Sequence, residues 1–292
     1  MMNILSFDIE EWYIESQGAN RVSQYNKLYD TLNNLLDKLD RVGYKATFFC
    51  VGQLAERFPE VINQIVSHGH EIGCHSNVHT WVDKMDEKTL RKDTSDALKA
   101  LENVAGQRVV SYRAPAFSIT DKNKWAVNVL AECGIENDAS IFPTTRDFGG
   151  FPSFPTDSPC IISYRGSSLK EYPVGLTSFL GKKFAYSGGG YFRLLPYWFV
   201  CNSMKKREYN ICYFHLADLI HEEHKMLSRE KYEAYFKEPG TFRNRLSRFV
   251  KSNVGTGNAY KKLNRLLSNH IFLNINEADS LIDWKKKPVV FL

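Results

Sequence analysis

No two of the six cysteines stand in a C-x-x-C pair, and several lie inside apolar runs such as Phe48-Phe49-Cys50-Val51 and Ile211-Cys212-Tyr213. That pattern speaks against a disulfide framework and for buried free thiols in a reducing compartment. The N-terminus has no basic segment ahead of its apolar stretch and turns acidic at once, so it does not read as a secretory leader. No apolar run reaches the length of a membrane span; Leu194 to Cys201 comes nearest and is far too short. A cytoplasmic protein without a membrane span is the expectation. Charge of one sign is not concentrated in any segment, and the net charge is a mild +5. Nucleic acid is therefore not an expected partner, although a weak attraction to anionic glycans or lipid head groups is compatible with that charge. Internal repeats, low-complexity linkers and a firm domain boundary are all missing.

What the 292 residues do contain is a regular alternation of strand-like and helix-like segments. Ile4 to Phe7 is a short apolar strand that ends at Asp8. Leu28, Leu32, Leu35, Leu36, Leu39 and Val42 form one helical stripe, stopped by Gly43. Ala46 to Val51 is nearly all apolar, as a strand covered on both faces must be. A second helix carries Leu54, Phe58, Val61, Ile62 and Ile65. The strand Glu71 to Cys74 runs straight into His75. A third helix carries Leu90, Ala97, Leu98 and Leu101, and the strand Val109 to Tyr112 delivers Arg113-Ala114-Pro115. A fourth helix covers about 121–133. Four strand-then-helix units in a row predict a parallel sheet or barrel.

After residue 140 the alternation breaks. Gly, Pro and Ser crowd 142–168, which reads as long surface loops. Gly188-Gly189-Gly190 precedes a helix over about 195–207, and a strong strand, Asn210 to Phe214, presents His215. The tail holds an amphipathic helix with Tyr260, Leu263, Leu266 and Leu267, followed by 271–275. The expected layout is a barrel over 1–220 and a C-terminal helical extension over 221–292.

The chemistry-bearing residues stand out against this background. His75 and His79 are spaced i, i+4, which can bring two imidazoles to one face of a helical turn. A carboxylate from the Asp8-Ile9-Glu10 segment can complete a three-ligand site for a divalent cation with one position open to water. That is the layout of a hydrolytic metal centre. Asp8 and Glu10, His75, and Arg113 all fall just past the C-terminal ends of predicted strands, the edge that holds the chemistry in β/α barrels.

Five segments in this order, Ser6-Phe7-Asp8-Ile9-Glu10, Ala46-Thr47-Phe48-Phe49, His75-Ser76-Asn77-Val78-His79, Arg113-Ala114-Pro115 and Phe214-His215-Leu216, resemble the motifs of the polysaccharide deacetylases. These are the NodB-homology or carbohydrate esterase family 4 enzymes. The resemblance spans roughly residues 3–220 and is nearest to a branch whose first motif is Asp-x-Glu or Asp-x-Asp. The stretch from Gly188 to Pro196 also resembles that branch, whose members are often associated with surface-polysaccharide synthesis. The resemblance implies a distorted (β/α) barrel of about seven strands. It also implies metal-dependent hydrolysis of an N-acetylated sugar to an amine and acetate.

Carried onto this chain, the resemblance makes Glu10, His75 and His79 the metal ligands, with glutamate where the family usually has aspartate. Glu11 is the neighbouring alternative; strand alternation turns it away from Asp8 and favours Glu10. Zinc is the default metal for this donor set, with cobalt, nickel, manganese and iron open. Asp8 is the candidate general base, Arg113 its charged partner, and His215 the candidate general acid. A backbone N–H of the Pro115 to Phe117 loop would help hold the oxyanion. For the carboxylate that orients His215, Asp138, Glu171 and Asp218 stay open. Pro115, Phe117 and Tyr191 are the candidate substrate-binding residues, since sugar rings stack on aromatic faces. His221-Glu222-Glu223-His224 looks metal-like, but it has neither His-Glu-x-x-His spacing nor a distant third ligand and reads as a solvated helix. Cys74 reads as a buried structural thiol. A same-fold amidohydrolase acting on a ureide, a non-catalytic carbohydrate binder and a two-histidine, one-carboxylate iron oxygenase are the competing readings. The presence of Asp8, Arg113 and His215 argues against the second, and the strand–helix alternation against the third.

Overall fold

The structure, a computed structural model, describes residues 1–16, 22–146, 148–179, 181–221, 225–236 and 239–292. In chain order the elements are β1 (Met2–Ile9), α1 (Glu11–Ser16), α2 (Val22–Val42), β2 (Thr47–Cys50), α3 (Gly52–Arg57), α4 (Pro59–Ser67), β3 (Glu71–Cys74) and α5 (Glu87–Ala105). Next come β4 (Ser111–Tyr112), α6 (Ala126–Glu132), β5 (Asn137–Asp138), β6 (Cys160–Tyr164), β7 (Ser167–Glu171), β8 (Leu176–Phe179) and β9 (Lys182–Ala185). The chain continues through α7 (Gly189–Leu194), α8 (Tyr197–Lys205), β10 (Tyr209–His215), α9 (Arg229–Phe236), α10 (Phe242–Asn253), α11 (Thr256–Asn269), α12 (Ile275–Leu281) and β11 (Val289–Phe291).

Nine of the strands form one sheet in the order β10-β1-β2-β3-β4-β5-β7-β6-β11. From β10 through β7 every pairing is parallel, which makes the seven strands of the expected (β/α) architecture. Two more strands follow: β6 pairs antiparallel with β7, and β11 joins β6 in parallel. The central strands are wholly buried. In β2 the run Thr-Phe-Phe-Cys has no exposed residue, as helices on one side and loops on the other require. On the helical side α2 buries Leu28, Leu32, Leu35, Leu36 and Leu39, and α5 buries Leu90, Ala97, Leu98 and Leu101. Local chemistry sets the ends of α5: Asp86 accepts the Thr89 N–H at 2.7 Å, and Gly106 closes the helix at φ 65°.

Several elements differ from the sequence expectation for identifiable reasons. The helix expected over 54–65 is two helices, because Pro59 starts α4 and forces a break at Phe58. The presumed surface loops of 142–168 run into the β6–β7 pair; its strands alternate buried and exposed residues only weakly, so no period marks them. Leu273 makes a single bridge to Ile4, and α12 begins at Ile275.

The region after 220 is tied into the sheet. The buried carboxylate of Glu71, at the N-terminal end of β3, accepts from Thr47 Oγ1 at 2.7 Å, Ser111 Oγ at 2.6 Å and the Asn276 N–H at 3.1 Å. The Ile275 N–H in turn donates to Thr47 Oγ1 at 2.9 Å. Backbone donors at the start of α12 are thereby satisfied by the sheet's lower edge. Among the described residues no helix is long and apolar enough to cross a membrane.

His70 sits at the same lower edge. Its Nδ1 accepts the Ala46 N–H at 3.3 Å, and its ring packs 5.1 Å from Phe48. Burial, with Lys45 nearby, holds its pKa down at about 4. The folded protein therefore keeps His70 neutral, whereas the unfolded chain takes up a proton below about pH 6.5. Stability linked to this group is complete above that pH and is lost as pH falls toward 4. Urea unfolding should show about 2–3 kcal/mol less stability at pH 4.5 than at pH 7 from this residue, and His70→Gln should flatten that part of the slope.

Candidate metal centre

The upper edge of the sheet gathers the predicted site. Asp8 is the last residue but one of β1, His75 follows β3, Arg113 follows β4, and His215 ends β10, in register opposite Asp8. Glu10 lies one residue past β1. Its Oε2 is 2.6 Å from His79 Nε2 and 3.4 Å from His75 Nε2. One donor atom from each of Glu10, His75 and His79 lies within 4.8 Å of the other two, the only such grouping among the described residues.

The two histidines do not share a helical turn. Residues 75–81 are irregular, with Ser76 at φ 66° and His79 at φ 55°, so left-handed backbone turns the loop back on itself and brings His79 to Glu10. The N-terminus of α3 and the side of α5 hold this loop. The N–H groups of Gly52 and Gln53 donate to the carbonyls of Ser76 and Asn77 at 2.9 and 3.0 Å, and Asp93 accepts the Asn77 N–H at 2.9 Å. Gly52 allows the approach: a Cβ there would lie 2.6 Å from the Ala97 Cα and 2.5 Å from Asn77 Oδ1.

The donor chemistry fits a divalent cation. His75 Nδ1 donates to the Arg113 carbonyl at 2.7 Å, which leaves the Nε2 lone pair facing Glu10. Burial pushes the Glu10 carboxyl up, but His79 and His215 beside it outweigh burial and hold it well below the usual carboxylate range. Burial opposes charge on His79, and Glu10 reverses that and raises its pKa. Glu11 does not join the cluster. Its Oε1 accepts the Ala217 N–H at 2.8 Å and its Oε2 the Glu10 N–H at 3.3 Å. Burial, with a further push from Glu10, lifts its pKa to about 7.

Asp8 is buried beside the cluster, and its Oδ1 accepts from Arg113 Nη1 at 2.7 Å. Arg113 is fully buried, lies 4.2 Å over the Phe49 ring and donates from Nε to the Ala139 carbonyl at 3.2 Å. His215 reaches toward both carboxylates: its Nε2 is 3.9 Å from Asp8 Oδ2 and 3.7 Å from Glu10 Oε1. Of the three carboxylates left open for orienting it, Asp218 does so, with Oδ2 at 3.3 Å from His215 Nδ1 and 3.1 Å from its backbone N. Burial disfavours charge on His215, yet Glu10, Asp218 and Asp8 together raise its pKa well above the ordinary value. Asp138 and Glu171 are buried and face one another instead. Burial and Asp138 push Glu171 well up, and burial also raises Asp138.

Two of the expected substrate contacts are corrected. Pro115 and Phe117 are buried, and Phe117 packs 5.4 Å from Phe142 and 5.0 Å from Tyr213, so neither offers a face to a sugar. The N–H groups of Phe117 and Ser118 are used inside the turn, by Ala114 and Pro115 carbonyls at 3.0 and 3.2 Å, so of the expected oxyanion-loop donors only the Ala116 N–H is not used there. Tyr191 does line a cleft of about 480 Å³ that opens beside His215 and Asp218. Its wall includes Phe148, which packs 5.1 Å from Trp81, and three arginines that sequence reasoning had not singled out, Arg146, Arg193 and Arg248. His221 is not helical and bonds to Thr256 Oγ1 at 3.1 Å; Glu222, Glu223 and His224 lie outside the described residues. Cys74 is buried, its thiol pushed up by burial.

With this geometry in place, comparison with known proteins adds the lineage. Residues 23–137 match the family model described as Polysaccharide deacetylase. Over those residues the chain is a polysaccharide deacetylase domain. Residues 139–279 match a second model, a domain of unknown function, DUF3473. The site cuts across both matches: His75, His79 and Arg113 fall in the first, His215, Asp218 and Tyr191 in the second, and Asp8 and Glu10 precede either. A peptidoglycan-N-acetylglucosamine deacetylase of Bacillus cereus is 36% identical over 93 residues, 32% of this chain and 34% of that protein. The peptidoglycan-N-acetylmuramic acid deacetylase PdaC of Bacillus subtilis is 30% identical over 32% of this chain and 20% of its own length. The chain thus spans about a third or less of the length of these curated relatives. Among solved structures, a Mycobacterium smegmatis protein assigned by name to the polysaccharide deacetylases superposes with a TM-score of 0.63 at 19% identity, covering 100% of this chain and 93% of that one. That likeness shows the shared fold.

Proposed function

We propose that this protein removes the acetyl group from an N-acetylated saccharide by metal-dependent hydrolysis, in the assembly of a surface polysaccharide or glycolipid. The observation that carries the reading is the convergence of Glu10, His75 and His79 on one point, with Asp8 and His215 both beside it. The names of its relatives, deacetylases of peptidoglycan and of chitooligosaccharide, support the substrate class.

Glu10, His75 and His79 would hold a divalent cation, with zinc first and cobalt, nickel, manganese or iron as alternatives, and such an ion when bound lowers the pKa of water and polarises the acetamide carbonyl. Asp8, oriented by its ion pair with Arg113, accepts the proton of the attacking water. The Ala116 N–H, which that turn does not use, would hydrogen-bond the oxygen that gains charge. His215, held by Asp218, donates a proton to the departing amine nitrogen, without which the C–N bond does not break. Tyr191 and Phe148 supply apolar faces in the cleft next to it.

The test is acetate release from a panel of N-acetylated oligosaccharides, lipid-linked and nucleotide-linked N-acetyl sugars and cyclic ureides, with purified protein and added zinc. Turnover of at least one sugar acetamide is expected. Turnover of ureides alone, or of nothing in the panel, contradicts the reading.

A further inference from the structure

The expectation that no segment concentrates charge of one sign fails near the C-terminus. From Thr241 to Asn276 there is no Asp or Glu, but there are seven basic residues: Arg243, Arg245, Arg248, Lys251, Lys261, Lys262 and Arg265. Four of the seven lie on α10, which begins at a sound cap, Thr241 Oγ1 accepting the Asn244 N–H at 3.2 Å. The same helix carries Phe242, Leu246, Phe249 and Val250, spaced so that all four fall within one narrow arc of its surface. Such a stripe ordinarily marks a core-facing helix. In α11 it does so, with Leu263, Leu266 and Leu267 fully buried. In α10 it faces outward: Phe242 is 62% exposed, Leu246 40%, Phe249 36% and Val250 45%. Arg245 donates to the Leu227 carbonyl at 3.1 Å and so draws in Met226 and Leu227, themselves 39% and 38% exposed, beside this face. An exposed apolar stripe flanked by basic side chains, with no acid on α10 itself and Glu230 of α9 near Arg245, has the amphipathic pattern of a helix lying in a lipid interface.

α10 is also part of the rim of the cleft. Arg248 lines it, with the guanidinium 4.5 Å over the Phe148 ring. We propose that α10 docks the protein on an anionic lipid surface, so that the mouth of the cleft opens at the membrane. The use of that cleft for substrate rests on the deacetylase reading; the docking does not. A second copy is a poor occupant, because a two-fold contact through this face would set its cations against themselves. A nucleic acid accounts for the cations and leaves the four apolar side chains unexplained.

The experiment is flotation of the full chain with vesicles of phosphatidylglycerol and phosphatidylcholine, against phosphatidylcholine alone, at low and high salt. Binding to the anionic vesicles is expected to exceed that to neutral ones at least tenfold and to fall with salt. Phe242→Ser/Leu246→Ser and Arg243→Gln/Arg245→Gln should each weaken it at least tenfold. Circular dichroism and acetate release from a water-soluble oligosaccharide should be unchanged, since these residues lie outside the site. No association with anionic vesicles, or association unaffected by both double variants, overturns the proposal. So does a wild-type dimer that Phe242→Ser/Leu246→Ser dissolves while vesicles are ignored. Failure of acetate release by the wild type would count against the deacetylase reading and leave the vesicle result standing.

Discussion

Replacing Asp8 by asparagine is expected to lower kcat for acetate release by about a thousandfold, with little change in KM and with metal content unaltered. The separation of effects follows from geometry. Asp8 is not one of the three converging donors; its Oδ1 faces Arg113 at 2.7 Å, and its other oxygen faces the space beside His215 at 3.9 Å. Asparagine keeps the size of the side chain and an oxygen for Arg113 to bond, so the surrounding packing survives. What it loses is the ability to take a proton, a contribution of about 10²–10⁴ in rate. Steady-state kinetics with metal analysis on the same preparation checks this. A variant that loses its metal along with its activity would make Asp8 a ligand and not the base.

Arg113→Leu is expected to destabilise the fold by about 3–5 kcal/mol, read by urea unfolding. The guanidinium is fully buried, and its loss strands the Asp8 carboxylate, only 2% exposed, without a cation. It also removes a positive group that eases burial of Asp138 and Glu171. The Ala139 carbonyl loses its donor, and the Phe49 ring its cation. Arg113→Lys restores the charge but not the planar fork that reaches both Asp8 and Ala139, so it should recover part of the loss and little of the activity. A loss below about 1 kcal/mol in Arg113→Leu would show that the pair is no more consequential than an exposed one.

The sequence was most informative where short motifs end strands. Asp8, Glu10, His75, Arg113 and His215 each follow an apolar run with one clear period, and parallel pairing then brings their ends together without further information. The His75–His79 spacing was ambiguous in kind: i, i+4 suits a helical turn, but the chain solves it with two left-handed residues, Ser76 and His79, that no residue type there demands. Asp218 was one of three equal candidates because its role depends on a tight turn, Leu216–Leu219, that lets residue i+3 fold back on His215. Phe117 was misplaced because an aromatic beside a site motif looks the same whether it packs inward or outward. The β6–β9 region and α10 went unread for opposite reasons. The first has too little hydrophobic period to mark strands, and the second has a core-like period on a face that nothing in the chain covers among the described residues.

The account stands on three donors sharing one ion. Protein freed of metal and titrated with zinc in a calorimeter should bind about one ion per chain, and Glu10→Gln, His75→Ala and His79→Ala should each weaken that binding about 100-fold or more while the fold is retained. A wild-type protein that takes up no divalent ion, or three variants that bind it as tightly as the wild type, would contradict it.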